Sequence, residues 1–136
     1  MHHSTLLGLD IGQARIGVAR ASTVARLAEP LMVLKTTQAI ARLQSLITKH
    51  KVEALVAGLP RNLSGDDTAQ TAWVRNWVRQ ARAKIDLPFY WQDEALTSRQ
   101  AQNLKLKTKS PGQDADAAAI ILQDFLDTPE SERIGY

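Results

Sequence analysis

Two apolar runs in this sequence end on carboxylates, and a third acid opens an amphipathic helix. Leu6-Leu-Gly-Leu9 closes on Asp10, and Pro88-Phe-Tyr-Trp-Gln92 runs straight into Asp93-Glu94. Asp is disfavoured in strands, and a carboxylate at the end of a buried strand is costly unless something cationic meets it. The third acid is Asp114. Ala117, Ala118, Ile121, Leu122 and Phe125 follow it at helical spacing, which puts Asp114 in the first turn of a helix and on its apolar stripe. Asp116 falls about 200° away at 3.6 residues per turn. The helix dipole favours an acid in the first turn, so capping accounts for either residue. Capping does not explain an acid lying over the apolar face, whereas a metal does, and Asp114 is preferred to Asp116.

Acids gathered from two strand ends and one helix suit phosphodiester hydrolysis. That reaction needs a water activated on one side of phosphorus and a leaving oxygen stabilised on the other. Two Mg²⁺ or Mn²⁺ ions about 4 Å apart, held by carboxylates and waters, provide both. The alternative for Asp10 is that it only caps the turn after its strand. From the first stretch alone both stand open.

The elements that must position these acids follow from the chain in order. Gly12-Gln-Ala-Arg15 reads as a tight turn between the run ending at Asp10 and a second run, Ile16 to Ala19, so the two make a hairpin. Gly12 permits a sharp turn and the close approach of a ligand. Leu31-Met-Val-Leu-Lys35 is a third strand. Thr36 or Thr37 is placed to cap a helix to about Lys51, with Ile40, Leu43, Leu46 and Ile47 at helical spacing. Ala54 to Gly58 is a continuous apolar run, expected for a strand buried on both faces, with Leu59-Pro60 ending it and a polar loop from Arg61 to Asp67.

A helix from about Asp67 to Lys84 presents Ala69, Trp73, Trp77 and Ala81 on one face, with Val74 and Val78 beside them. Its tryptophans are expected in the core, and Arg75, Arg79 and Arg82 on a solvated face. After the strand that ends at Asp93-Glu94, Thr97 or Ser98 caps a helix to roughly Leu106. A basic, turn-rich connection then carries Lys105, Lys107 and Lys109, well placed beside a carboxylate site to hold a phosphodiester backbone. The final helix spans about Gln113 to Leu126.

Composition sets the outer bounds. With 136 residues, 44% of them hydrophobic and 23% charged, the chain fits one globular domain with a real core. There are no cysteines, which excludes disulfides and thiolate metal sites. No apolar stretch is long enough to span a membrane and no signal-peptide pattern opens the chain, so a cytoplasmic protein is expected. The net charge is +3. If several carboxylates are gathered around metal ions, the rest of the surface is more basic than that figure, which favours a polyanionic partner such as nucleic acid. His2 and His3 are given no role, and His50, at a helix end, is expected at the surface.

Taken together, Asp10-x-Gly12 with Arg15-Ile-Gly-Val-Ala, Gly58-Leu-Pro60 with Gly65, Asp93-Glu94-x-Leu-Thr97, and Asp114-x-x-Ala-Ala-x-x-Ile-Leu-Gln123 resemble the YqgF/RuvX family. These proteins have an RNase H-like fold and are related to the Holliday junction resolvase RuvC. The resemblance runs from about Leu6 to Leu126, and four motifs in the right order make it specific. It implies an α/β domain spanning 1–136 with a short polar C-terminal tail. Its mixed five-stranded sheet would have the first three strands antiparallel and helices on both faces.

The resemblance also implies a metal-dependent nuclease whose catalytic and metal-binding set is Asp10, Glu94 and Asp114, with Mg²⁺ or Mn²⁺ as cofactor. Gly12, Asp93 and Asp116 would support that set, and Arg15, Arg61, Lys105, Lys107 and Lys109 would contact nucleic acid. The family is associated with 5′-end processing of precursor 16S rRNA and with Holliday junction resolution. Symmetric cleavage of a four-way junction would require a homodimer. The family's usual Asp-Glu-Arg is Asp93-Glu94-Ala95 here, the basic connection before Asp114 is short, and Gln113 stands where an apolar residue is usual; these departures bear on substrate preference more than on chemistry.

Rival classes fit less well. Sugar-kinase and actin-like ATPases also begin with Asp-x-Gly, but they close two such domains on nucleotide, which 136 residues do not supply. Gly12 to Gly17 has P-loop-like glycine spacing, yet Val18-Ala19 stands where Lys-Ser/Thr is required. A non-catalytic RNase H-like nucleic-acid-binding module would tolerate loss of an acid, and none is lost.

Overall fold

A computed structural model of the chain describes residues 4–61, 64–95 and 111–135, with the backbone alone at 94–95 and 111–113. The elements run β1 (Thr5–Ile11), β2 (Arg15–Ser22), β3 (Glu29–Lys35), α1 (Ala39–His50), β4 (Val52–Arg61), α2 (Ala69–Arg82), β5 (Phe89–Ala95), α3 (Pro111–Asp127) and β6 (Ile134–Gly135). The helix expected from Thr97 or Ser98 to Leu106, and Lys105, Lys107 and Lys109, lie outside the described residues. No helix among the described residues is long and apolar enough to cross a membrane.

The strands form one mixed sheet in the order β3-β2-β1-β4-β5-β6. β1, β2 and β3 are antiparallel neighbours, while β4 runs parallel to β1 and β5 parallel to β4. The expected five strands become six. The addition, β6, is two residues long and pairs antiparallel with Tyr90 and Trp91 of β5, too short to leave an alternating pattern in the sequence. Strand β4 also runs through Leu59-Pro60, where a strand end was expected. Pairing with β1 stops at Leu9↔Ala57, so the missing N–H of Pro60 deprives no second neighbour, as for prolines on edge strands.

Two apolar layers sandwich the sheet. On one face Leu7, Leu9, Ile16, Val18, Leu55, Ala57 and Trp91 pack with Leu43 of α1 and Val74, Trp77 and Val78 of α2. On the other, Leu6, Ala19, Ala21, Ala54 and Val56 pack with Ala118, Ile121, Leu122 and Phe125 of α3. Trp77 and Trp91 are core residues, and Trp73 packs against them from a half-buried position. The buried stripe of α2 is rotated from the expected one: Thr71, Val74, Trp77, Val78 and Ala81 are inside, whereas Ala69 is exposed. Thr71 is inside because its hydroxyl donates to the Pro60 carbonyl and accepts from the Thr68 N–H, closing a capping box at the helix start.

Thr36 has a different task from the one expected. It opens a 3₁₀ turn (Thr36–Gln38) ahead of α1. Its Oγ1 donates to the Gly12 carbonyl at 2.7 Å and its N–H to the Ala14 carbonyl at 3.1 Å. Together with Gly12 N–H donating to the Arg15 carbonyl at 3.0 Å, these bonds hold the β1–β2 turn. A Cβ on Gly12 would stand 2.7 Å from that same carbonyl, so the turn itself requires glycine.

Helix α3 lies unusually close to the sheet. A Cβ built on Gly8 would stand 2.7 Å from the Leu122 Cβ and 2.9 Å from the Ala118 carbonyl oxygen, and one on Gly17 would overlap the main chain of Asp114. Replacing Gly17 by Ala must therefore push the helix off the sheet. We expect Gly17→Ala to destabilise the fold by about 1–3 kcal/mol, net of the small gain from restricting the unfolded chain. Gly135→Ala, which meets nothing within 4 Å, should stay within about 0.5 kcal/mol. Urea melts of both variants check this.

His50 is half-buried at the end of α1 rather than fully at the surface, and Arg20 donates a hydrogen bond from Nη1 to its Nδ1 at 3.2 Å. Burial, then the charges of Arg20 and Lys49, hold its pKa below the ordinary 6.5. The folded protein thus binds this proton less readily than the unfolded chain. The resulting stability is complete above 6.5 and is lost as pH falls from there through the lowered value. Between about pH 7 and about pH 5, the melting temperature should fall further for the wild type than for His50→Gln.

Candidate functional site

The sheet topology collects the acids at one edge. β1 and β5 flank β4 in parallel, so Asp10 and Glu94 both lie near C-terminal strand ends on the same edge, about 10 Å apart across two strand spacings. β2 runs the opposite way and brings its first residue, Arg15, to this edge as well. Backbone pairing places Glu94 opposite Pro60 of β4; its side chain lies outside the described residues.

Asp10 and Asp114 share one face. Asp10 pairs directly with Gly17, and residues directly opposite in an antiparallel pair project to the same side. The side of Gly17 is known, because its missing Cβ is replaced by the main chain of Asp114. Asp10 therefore leaves the sheet toward the first turn of α3, where Asp114 sits. Two residues earlier, Gly8 meets Ala118 and Leu122 of the same helix, which agrees. Asp116 is exposed.

Asp114 is held by Arg15, whose Nε lies 3.1 Å from Oδ2; the two side chains are 39% and 24% exposed. The alignment falls short of a hydrogen bond, and Oδ2 is shut off from solvent with no hydrogen-bond partner among the described residues. A solvent-excluded carboxylate oxygen without a donor is costly and suited to a cation. The oxygen-only character of Asp10 and Asp114 fits a hard divalent ion. Among the described residues no group of three or more His, Cys, Asp or Glu is close enough to hold a metal, and the Glu94 carboxylate is not among them.

Asp93 lies on the opposite face of the sheet. Strand alternation puts it in phase with Trp91, on the face covered by α1 and α2. There Arg61 reaches it at 3.5 Å and Asp67 at 3.2 Å. Arg75 completes the group, 3.6 Å from Asp67 and with its guanidinium 5.5 Å from the centre of the Trp91 ring. The structure thus joins Asp10, Arg15 and Asp114 on one face and ties Asp93 and Arg61 together on the other. Sequence reasoning missed the involvement of Arg75, and Asp67, eight residues before it and outside the helix, gave no signal of it.

The family model described as RuvX, Holliday junction resolvase, matches residues 4–128. A protein of Roseiflexus sp. (strain RS-1) named "Putative pre-16S rRNA nuclease" is 39% identical over 132 residues, spanning 90% of this chain and 94% of that protein. One of the same name from Chloroflexus aggregans is 38% identical over 136 residues, spanning 93% and 96%. Among solved structures, T. thermophilus RuvC in complex with Holliday junction substrate superposes with a TM-score of 0.60 at 17% identity, covering 98% of this chain and 100% of that one. The fold is accordingly RNase H-like.

The partition of the acids between the two faces has a direct consequence. Because Asp93 is half-exposed and its partner Arg61 also has Asp67, Asp93→Asn should cost less than about 1 kcal/mol in a urea melt.

Proposed function

The chain belongs to the RuvX family of Holliday junction resolvases, a nuclease family, and we propose that it is a divalent-metal-dependent endonuclease acting on structured nucleic acid. The observation that carries this is the convergence of Asp10 and Asp114 on one face of the sheet edge, with a solvent-excluded, donorless oxygen on Asp114. Asp10, Glu94 and Asp114 would hold Mg²⁺ or Mn²⁺, two ions in all. When bound, such ions stabilise charge on the scissile phosphate and lower the pKa of a water to make it nucleophilic.

The protein's own groups do the rest. Asp10 and Asp114 set the position of the charge, and the first turn of α3 adds the positive end of its dipole beside the phosphate. Arg15, at the same edge, suits a phosphodiester oxygen, since a guanidinium matches phosphate geometry. Lys105, Lys107 and Lys109 would extend the basic contact along the backbone of the nucleic acid. The names of the relatives point to precursor 16S rRNA, and the family description points to a four-way DNA junction. A cytoplasmic location serves either substrate.

Cleavage of a four-way junction and of a precursor 16S rRNA fragment, each with Mg²⁺ and with Mn²⁺, distinguishes the substrates. If the junction is the substrate, light scattering should show a dimer on it, because symmetric cutting needs two sites. EDTA should abolish either activity; activity that survives thorough chelation removes the metal from the proposal. Asp114→Asn keeps size and capping ability but loses the charge. It should abolish cleavage with the fold intact, and change the metal-free melting temperature little, since losing the attraction of Arg15 offsets any relief of repulsion among the acids. Asp116→Asn, on the exposed side of α3, should change cleavage little. Cleavage retained in both variants would place the site elsewhere.

A further inference from the structure

We propose that Arg15 is a displaceable counter-cation for Asp114, which a divalent ion evicts and thereby frees to grip the nucleic-acid backbone. The proposal rests on Asp114 being a metal ligand. Three features of the structure lead to it. The first is the quality of the contact. A well-formed arginine–carboxylate pair is aligned and often bidentate, yet here Nε stands 3.1 Å from Oδ2 without hydrogen-bond geometry. Charge neutralisation, not a directional bond, holds Arg15 there, and a divalent ion neutralises the same oxygen more strongly.

The second is room. An ion bound at oxygen lies about 2.1 Å away, and a guanidinium 3.1 Å from that same oxygen would face it across a few ångströms, where two positive charges repel by kilocalories. Holding both cations there is strongly disfavoured, and the exposed arginine is the one able to move. The third is that Arg15 can leave without disturbing the fold. Its main chain is fixed by the Gly12 hydrogen bond and the turn by the two Thr36 bonds, so only the side chain need rotate. That side chain is 39% exposed and stands at the sheet edge, beside the space a phosphodiester would occupy.

Metal and nucleic acid are then coupled through one side chain, and the coupling is reciprocal. Without metal, Arg15 satisfies Asp114 and is withheld from substrate. With metal, it is released. The arrangement discourages unproductive binding of nucleic acid to the metal-free protein.

The Nε–H resonance of Arg15 in the wild-type protein reports the eviction directly. It should shift as Mg²⁺ saturates the site, and should not respond in Asp114→Asn. Independently, Arg15→Met should bind Mn²⁺ about fivefold or more tightly by calorimetry, the size of an ordinary coupling. Lys35→Met removes the same charge from the exposed residue paired with Arg15 on β3 and should change Mn²⁺ affinity less than Arg15→Met does, since exposed charges act weakly. An Arg15 resonance that stays put at saturating Mg²⁺, or an Arg15→Met affinity no tighter than that of Lys35→Met, overturns the proposal. If Asp114→Asn loses Mn²⁺ binding at the same time, Asp114 remains a ligand and only the eviction is wrong. If Asp114→Asn binds Mn²⁺ as the wild type does, the ligand assignment fails and the eviction with it.

Discussion

The main chain of α3 rests directly on the main chain of the sheet, with no layer of side chains between them at Gly8 and Gly17. Everything at the acidic edge depends on that distance. Asp10 is a strand residue and Asp114 a helix residue, separated by more than a hundred positions in sequence. They are brought to the same face, close to one another's main chains, because Gly17, paired with Asp10, has no Cβ to hold the helix away. A single methyl group there would displace the carbonyl of the residue whose carboxylate matters. The glycine is thus a spacing device, and its effect is felt on its paired neighbour as much as at its own position.

The strand period divides the charges as firmly as it divides the apolar residues. Asp93 and Glu94 are adjacent, yet alternation gives Asp93 to the face of α2, where Arg61, Asp67 and Arg75 already form a network. On the other face Arg15 meets Asp114. Keeping the two networks on opposite sides of a sheet prevents Arg61 from competing for the acids at which chemistry is proposed.

Much of this was legible in the sequence. The apolar runs identified β1, β2 and β5, and the spacing after Asp114 placed it toward the sheet and Asp116 toward solvent, because helical periodicity is a local signal. What escaped is non-local or depends on a partner. β4 continues through Pro60 only because β1 has already ended beside it, and no local rule reports where a neighbour stops. Thr36 looks like a helix cap, but its hydroxyl is taken by the Gly12 carbonyl, twenty-four residues away. β6 is two residues paired to a strand far back in the chain. The stripe of α2 was misjudged because Thr71, polar by composition, is buried by its bond to Pro60. For the site, the sequence indicated Asp10 and Asp114, but not the pairing of Asp114 with Arg15, which requires knowing that Gly17 lets the helix descend.

The two apolar layers on either side of the sheet differ in what they are free to become. The layer under α1 and α2 is built of large side chains, Leu, Val, Ile and Trp, whose volumes can be traded against one another. The layer under α3 mixes large side chains with alanines, and at Gly8 and Gly17 beneath it an added Cβ would lift the helix. Lineages adapting to heat or cold can therefore revise the first layer extensively while the glycine positions beneath α3 stay fixed. Divergence among descendants of this fold should accumulate unevenly through its thickness, recording habitat on one side of the sheet and chemistry on the other.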